Sequence, residues 1–384
     1  MLTPIVSVVM SVFNGERYLD EAIESILSQS FSDFEFIAID DGSTDGSGTL
    51  LEFYQKKDSR LRVYHQDNRG LVESLNRGCG LAQGEYLARM DADDIAVPDR
   101  LSWQVSFLQQ NPEIAVLGGA IERIDSSGKS LEVKHYPVTD REIKAALLHT
   151  SALPHPAVLI RKETFRCVGG YRAAFVDAED YDLWLRISER WQLANLDRVL
   201  LKYRVHAGQV SRLKLRQQAL SFLAARALAS AKREGRADLP NWVGGITPPT
   251  LSHLGVGESE QQTFVAASYL FWIKCLARWG WDAEALKLAA DVYRTGKTDC
   301  IERWVIADTQ LAMAGIYWRQ KKFLKGLRAA GCALIRWPVI LGRPLKRMLE
   351  RLWKAYSNRR TLTPGASSST ANQRTACENA GKTL

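Results

Sequence analysis

Short, β-branched apolar runs alternate with helical patterns over the first half of the chain. The run IVSVVMS predicts a strand, NGERYLDEAIESILSQS a helix, FEFIAIDD a second strand, and a further helix begins at about Asp45. The alternation continues with RVYHQ, a helix near Leu71 to Ala82, the strand EYLARMD, and a helix opened by VPDRLSWQVSFLQQ with Pro98 in its first turn. Such a series predicts an α/β fold whose mostly parallel sheet is flanked by helices on both faces. Ligands on such sheets bind beyond the carboxyl ends of the strands, where the acidic clusters DDGSTD and DADD both fall.

Downstream, VLGGAIERIDSSGK reads as a strand and hairpin, Arg141 to His149 as a helix, HPAVLIRK as a strand, and a helix begins near Glu179. The strand LANLDRVLLKYRVH closes this region, so a first domain spans 1–211. From Arg212 the pattern turns Ala/Leu/Arg-rich and helical, interrupted by a Pro/Gly loop, which predicts a separate helical module over 212–330 without a definable repeat period. Residues 331–360 read as a basic amphipathic helix with Trp337 and Trp353 at an interface, and 361–384 as a disordered tail too poor in apolar residues to order.

With 384 residues, 46% of them apolar and 24% charged, the chain has ample core for a globular protein. Six scattered cysteines form no CxxC pair and no zinc-type spacing, which points to reduced thiols in a cytoplasmic protein. The first residues lack a basic leader and a small-residue cleavage site, and no apolar run is long enough for a membrane span. The formal charge of +8 is concentrated: Trp318 to Arg360 holds thirteen Lys/Arg against one Glu. Charge gathered in one tail rather than over a fold face argues against nucleic acid and for an anionic membrane surface.

Each motif has a plain and a functional reading. AIDDGSTDGS is either a capped turn or a carboxylate facing a nucleobase or ribose. DADD crowds Asp91, Asp93 and Asp94 at a strand end, which suits a wet turn or Mg²⁺ or Mn²⁺ held by one or two carboxylates. DAEDYDLWLR favours acidic residues simply because it opens a helix, yet Glu179 and Asp180 could supply a general base. Asp182 and Arg186 read as a surface pair, and Leu183, Trp184 and Ile187 as core. His155 and His206 stand at places where a ligand role and a structural one compete. No GxGxxG follows the first strand and no GxxxxGK[ST] occurs, so nicotinamide and P-loop sites are unsupported.

Taken in order, VSVVMSVFNGERYLDEAIESILSQSFSDFEFIAIDDGSTDGS, NRGLVESLNRGCGLAQGEYLARMDADDIAVPDRL and EDYDLWLR resemble the family 2 glycosyltransferases, inverting enzymes of the GT-A fold, over residues 4 to 211. The resemblance implies a nucleotide-diphosphate-sugar donor, a UDP-sugar foremost. It assigns Ser11 and Phe13 to the nucleotide pocket wall, Asp41 to the base, Asp91 to the ribose side and Asp93 to the metal. It makes Asp180 the catalytic base with Glu179 beside it, and gives Arg204 a diphosphate contact and His206 a metal contact. The QxxRW signature of processive synthases is missing, which implies transfer of one sugar per encounter. Together with the basic tail, this points to a glycan or lipid-linked acceptor in envelope polysaccharide or lipopolysaccharide synthesis, with the protein peripheral at the inner face of the cytoplasmic membrane. A nucleotide-sugar-binding protein without transfer activity and a nucleotidyltransferase are the competing readings. The first has no use for Glu179 and Asp180, and the second wants a glycine-rich basic loop near the first strand that is missing.

Overall fold

The computed structural model describes residues 3–206, 214–235, 245–294 and 298–341. Its first half follows the expected alternation: β1 (Val6–Val12), α1 (Glu16–Leu27), β2 (Phe34–Asp40), α2 (Ser47–Lys57), β3 (Leu61–His65), α3 (Leu71–Leu81) and β4 (Tyr86–Asp91). After a short β5 (Ile95–Ala96) come α4 (Arg100–Gln110), β6 (Ile114–Ile124), β7 (Ser130–Lys134) and α5 (Asp140–Leu147). The domain closes with β8 (Leu159–Arg161), α6 (Lys162–Cys167), α7 (Glu179–Ser188) and β9 (Gln192–Arg204).

All nine strands form one sheet in the order β3-β2-β1-β4-β8-β6-β9-β5, with β7 on β6. The half built from β3, β2, β1 and β4 is parallel, whereas β8 runs antiparallel to both β4 and β6, and only β6 and β9 pair in parallel beyond it. The sheet is therefore mixed, because hairpins and a returning strand fill its second half. In β1 only Ser11 escapes full burial, as expected for a strand covered on both faces. Val8, Met10 and Val12 join Leu19 and Ile23 of α1 in one core, and Val9 joins Val72 and Leu75 of α3 in the other. Gly78 makes the second contact possible, since a Cβ there would lie 2.6 Å from Val9 Cγ1.

The chain steps from β1 to β2 and β3 on one side and returns to place β4 on the other. This reversal at β1 opens a crevice beyond the carboxyl ends of β1 and β4. Register sets its walls: Ser11 pairs with Ile39 on one side and with Asp91 on the other, and Val12 pairs with Asp40.

The remaining described helices are α8 (Leu215–Arg233), α9 (Pro248–His253), α10 (Glu258–Arg278), α11 (Asp282–Arg294), α12 (Arg303–Arg319) and α13 (Phe323–Arg336). They are less separate than the composition suggests. Tyr181 of α7 stacks on Phe222 of α8 with ring centroids 3.5 Å apart, Phe222 meets Phe264 of α10, and one hydrophobic core runs through all three. Residues 331–336 end α13 rather than begin a basic helix, and a turn of 3₁₀ helix follows over Pro338–Leu341. Trp337 packs with Leu311 and Leu334 against Ala307 and Ala333, which leaves it partly buried. The rest of the expected basic helix, 342–360, and the tail 361–384 lie outside the described residues. Among the described residues no helix is long and apolar enough to cross a membrane.

Candidate active site

The β2 side of the crevice is organised by Asp41, which is buried. Its Oδ1 accepts from Gln66 Nε2 (2.7 Å) and the Arg69 N–H (2.9 Å), and its Oδ2 from the Gly70 N–H (2.8 Å). One carboxylate thus fixes the loop from β3 to α3. Gly42 follows with φ +77°, and a Cβ there would come within 2.8 Å of Asn68 N, so the turn after Asp41 requires glycine. Asp40 is engaged differently, accepting from the Ser43 N–H (3.1 Å) and pairing with His65 Nδ1 (2.9 Å). Beside this turn lies an open cleft of about 580 Å³ lined by His65, Gln66, Asp67, Arg69 and Arg77. Ser11 sits partly exposed at the end of β1, and Phe13 just beyond it leaves 53% of its surface in solvent, an unusual place for a phenyl ring.

Asp91, Asp93 and Asp94 converge: one ligand oxygen from each lies within 4.8 Å of the others. Asp94 is almost fully buried and its Oδ2 has no hydrogen-bond partner. Burial first, then the charges of Asp93 and Asp91, holds the Asp94 carboxyl well above the ordinary range. Asp91 is likewise raised by burial, opposed by the ion pair it makes with Arg89. An all-oxygen cluster with an orphaned buried carboxylate oxygen fits a hard divalent ion.

The end of β9 closes over this cluster. His206 Nε2 lies 2.9 Å from Asp93 Oδ2, and its ring is 5.2 Å from that of Tyr18. Arg204 donates its backbone N–H to Asp94 Oδ1 (2.8 Å), its Nε to the Asp93 carbonyl (2.8 Å) and its Nη2 to Glu21 (2.6 Å). Its guanidinium also lies 4.4 Å from the Tyr18 ring centroid. Buried and bonded in this way, Arg204 does not present itself to a diphosphate as expected from the sequence; it holds Asp93 and Asp94 in place.

The remaining pair opens α7. Asp177 adopts φ 65°, a left-handed conformation that Asp tolerates better than most residues. Its carbonyl accepts from Gln218 Nε2 (2.9 Å), so α8 braces the loop that presents Glu179 and Asp180. Asp180 is partly exposed, and its Oδ1 accepts the Tyr181 N–H at 2.7 Å. Burial raises the Asp180 carboxyl to about 6, with the Tyr181 N–H and Arg89 pulling the other way. Glu179 is buried with Oε2 unpartnered and Oε1 4.0 Å from His155 Nδ1. Burial, then the Asp180 charge, pushes it up to about 8, so it carries a proton at neutral pH. His155 is buried, bonded to Tyr171 (2.8 Å), and depressed far below its ordinary value by that burial, which makes it a neutral packing partner.

Arg89, which sequence reasoning passed over, joins the two acidic groups. It is nearly inaccessible, it pairs with Asp91, and its charge bears on Asp94, Glu179 and Asp180. Burial works against that charge and Asp91 more than restores it. The signal was available: YLARMD is otherwise a buried apolar strand, and a lone arginine inside one needs a carboxylate partner. Asp182 also departs from its reading as a surface group. It is buried and grips Arg172 and Arg186, and Arg186 in turn donates to the carbonyls of Val168 and Gly170, which ties α7 to the preceding loop.

A sheet that reverses at β1, with carboxylates at the ends of β2 and β4 and a second acidic pair opening a helix across the crevice, defines an enzyme of the GT-A type. The chain belongs to glycosyltransferase family 2: the family model described as Glycosyl transferase family 2 matches residues 7–169. It is 35% identical over 221 residues to an uncharacterized glycosyltransferase of Haemophilus influenzae, covering 54% of this chain and 68% of that one. It is 34% identical over 207 residues to the O-antigen biosynthesis glycosyltransferase WbnJ of Escherichia coli, covering 52% of this chain and 80% of the relative. The structure of S. aureus TarS 1-349 in complex with UDP-GlcNAc superposes with a TM-score of 0.51 at 16% identity, over 85% of this chain and 90% of that one, a likeness of fold.

Proposed function

We propose that this glycosyltransferase moves one sugar from a nucleotide-diphosphate sugar, a UDP-sugar foremost, to a hydroxyl acceptor by a single displacement that inverts the anomeric carbon. The observation that carries the reading is the pairing of a partly exposed carboxylate, Asp180, with an acidic cluster, Asp91, Asp93 and Asp94, under the influence of one buried cation, Arg89. Asp180, raised to about 6, is still ionised at neutral pH and so able to accept the acceptor's proton as its oxygen attacks. Glu179, protonated beside it, keeps a second negative charge out of the site.

Asp93, with His206 at its side, would hold Mg²⁺ or Mn²⁺, which when bound supplies charge neutralisation at the departing diphosphate. Asp91 faces the ribose and Asp41 the base, with Ser11 and Phe13 as the pocket wall. Arg204 acts through Asp93 and Asp94 rather than on the donor. The acceptor is a lipid-linked glycan at the inner face of the cytoplasmic membrane, in envelope polysaccharide or lipopolysaccharide synthesis. The similarity to WbnJ supports this pathway.

The test is release of nucleoside diphosphate from UDP-, GDP- and dTDP-sugars with Mg²⁺ or Mn²⁺, comparing the wild type with Asp93→Ala. Metal-dependent release from one donor, lost in the variant, supports the reading. Release of pyrophosphate instead would make the protein a nucleotidyltransferase, and tight donor binding without any release would make it a binding protein.

A further inference from the structure

Among the described residues, nothing covers one face of the last helix. Gly326 and Ala333 of α13 are buried, and a Cβ on Gly326 would lie 3.4 Å from the Ala314 carbonyl of α12. On the opposite side, Leu324 is 84% exposed, Leu327 60% and Ile335 82%. At 3.6 residues per turn these three and Gly331 fall within an arc of about 80°. Val339, just past the helix, and Trp318, whose ring packs edge-on against Phe323 at 5.1 Å, extend the exposed apolar surface at its two ends. Lys325, Arg328 and Arg336 run along one flank of the stripe, and the stretch from Trp318 to Leu341 contains six Lys/Arg and no Asp or Glu.

We propose that this face of α13 docks the enzyme on an anionic lipid surface, with Leu324, Leu327 and Ile335 entering the headgroup boundary and Lys325, Arg328 and Arg336 meeting lipid phosphates. It deepens the membrane part of the proposed function and rests on it for the location of the acceptor. Charge decides the occupant. A second copy of the Trp318–Leu341 stretch would bring six cations against six. The chain's own continuation carries seven more Lys/Arg and one Glu between Arg343 and Arg360, so folding it back would do the same. An acidic bilayer removes that repulsion and accepts the leucines, as interfacial helices with a basic flank do. Nucleic acid would satisfy the cations but leave the aliphatic stripe in water.

The full-length protein is sedimented with vesicles of phosphatidylcholine alone and with added phosphatidylglycerol, at low and high salt. The wild type is expected on the acidic vesicles only, released by salt. Each Lys or Arg near an anionic surface is worth about fivefold in partitioning, so Lys325→Gln with Arg328→Gln loses about 25-fold. Leu324→Gln with Ile335→Gln should abolish binding while the rate of nucleoside diphosphate release from soluble donor stays unchanged, which separates this proposal from the catalytic one. Three results overturn it: equal binding to neutral vesicles, no binding to either, or a wild-type dimer that the leucine variant splits into monomers. A fall in thermal stability of the leucine variant would also overturn it, because the stripe would then be covered by the chain itself.

Discussion

Glu179→Gln is expected to stabilise the protein at neutral pH. The side chain is 4% exposed, and burial together with the Asp180 charge lifts its carboxyl from 4.5 to about 8. An acid whose folded pKa lies above its unfolded value binds more protons in the folded state. Its contribution is therefore fully present below about 4.5 and is lost as pH rises through about 8. From the unfolded value to pH 7 is about 2.5 pH units, and at about 1.36 kcal/mol per unit this makes the unfolding free energy about 3 kcal/mol smaller than a permanently neutral side chain would give. Glutamine has the shape of the protonated acid and does not titrate. Urea unfolding of both proteins in the presence of chelator, from about pH 5 to about pH 8, measures the difference. The gap in unfolding free energy should widen with pH in favour of the variant. Parallel curves, or a less stable variant at pH 7, would refute the reasoning, since they would mean that Glu179 is ionised and paired in the native state.

Asp180→Asn should leave donor affinity in place and lower kcat by about 10² to 10⁴, the range for a lost general base. In the wild type the rate should fall about tenfold per pH unit below about 6, where Asp180 takes up a proton; a rate flat through that region would remove its role. Arg89→Met should cost about 3–5 kcal/mol, as breaking a buried ion pair does, and move that acidic limb to higher pH, with Arg89→Lys restoring part of both. An unchanged limb would mean that Arg89 only packs. Gly84→Ala places a Cβ 2.7 Å from Ser7 N and Val6 C, backbone atoms of the central strand that have no room to yield, so a loss of about 1–3 kcal/mol is expected by denaturant titration.

The parallel half of the sheet was legible because β1, β2 and β4 are continuous apolar runs, and a strand buried on both faces leaves that pattern. Its mixed half was not. β8 has three residues, and nothing local to LIR says that it will lie between β4 and β6. The acidic clusters stood out as neighbours in sequence, whereas their cation did not: Arg89 meets Glu179 and Asp180 across some ninety residues of chain. Asp182 looked like half of an i,i+4 surface pair because its other partner, Arg172, precedes the helix. Arg204 sits at a position the family resemblance gives to the donor, but its inward orientation depends on Tyr18 and Glu21 of α1, which no spacing along β9 reveals. Likewise Ala/Leu-rich composition marked α8 as helix without showing that Gln218 would reach the Asp177 carbonyl and support the turn that presents Glu179 and Asp180.

The account stands or falls on a single displacement at the anomeric carbon assisted by Asp180. The most direct measurement is NMR of the free sugar released when water replaces the acceptor, recorded before mutarotation, with the Asp180→Asn protein as control. The account predicts a first-formed sugar of configuration opposite to the donor's, and its loss in the control. A sugar of retained configuration, or equal release by both proteins, would contradict it.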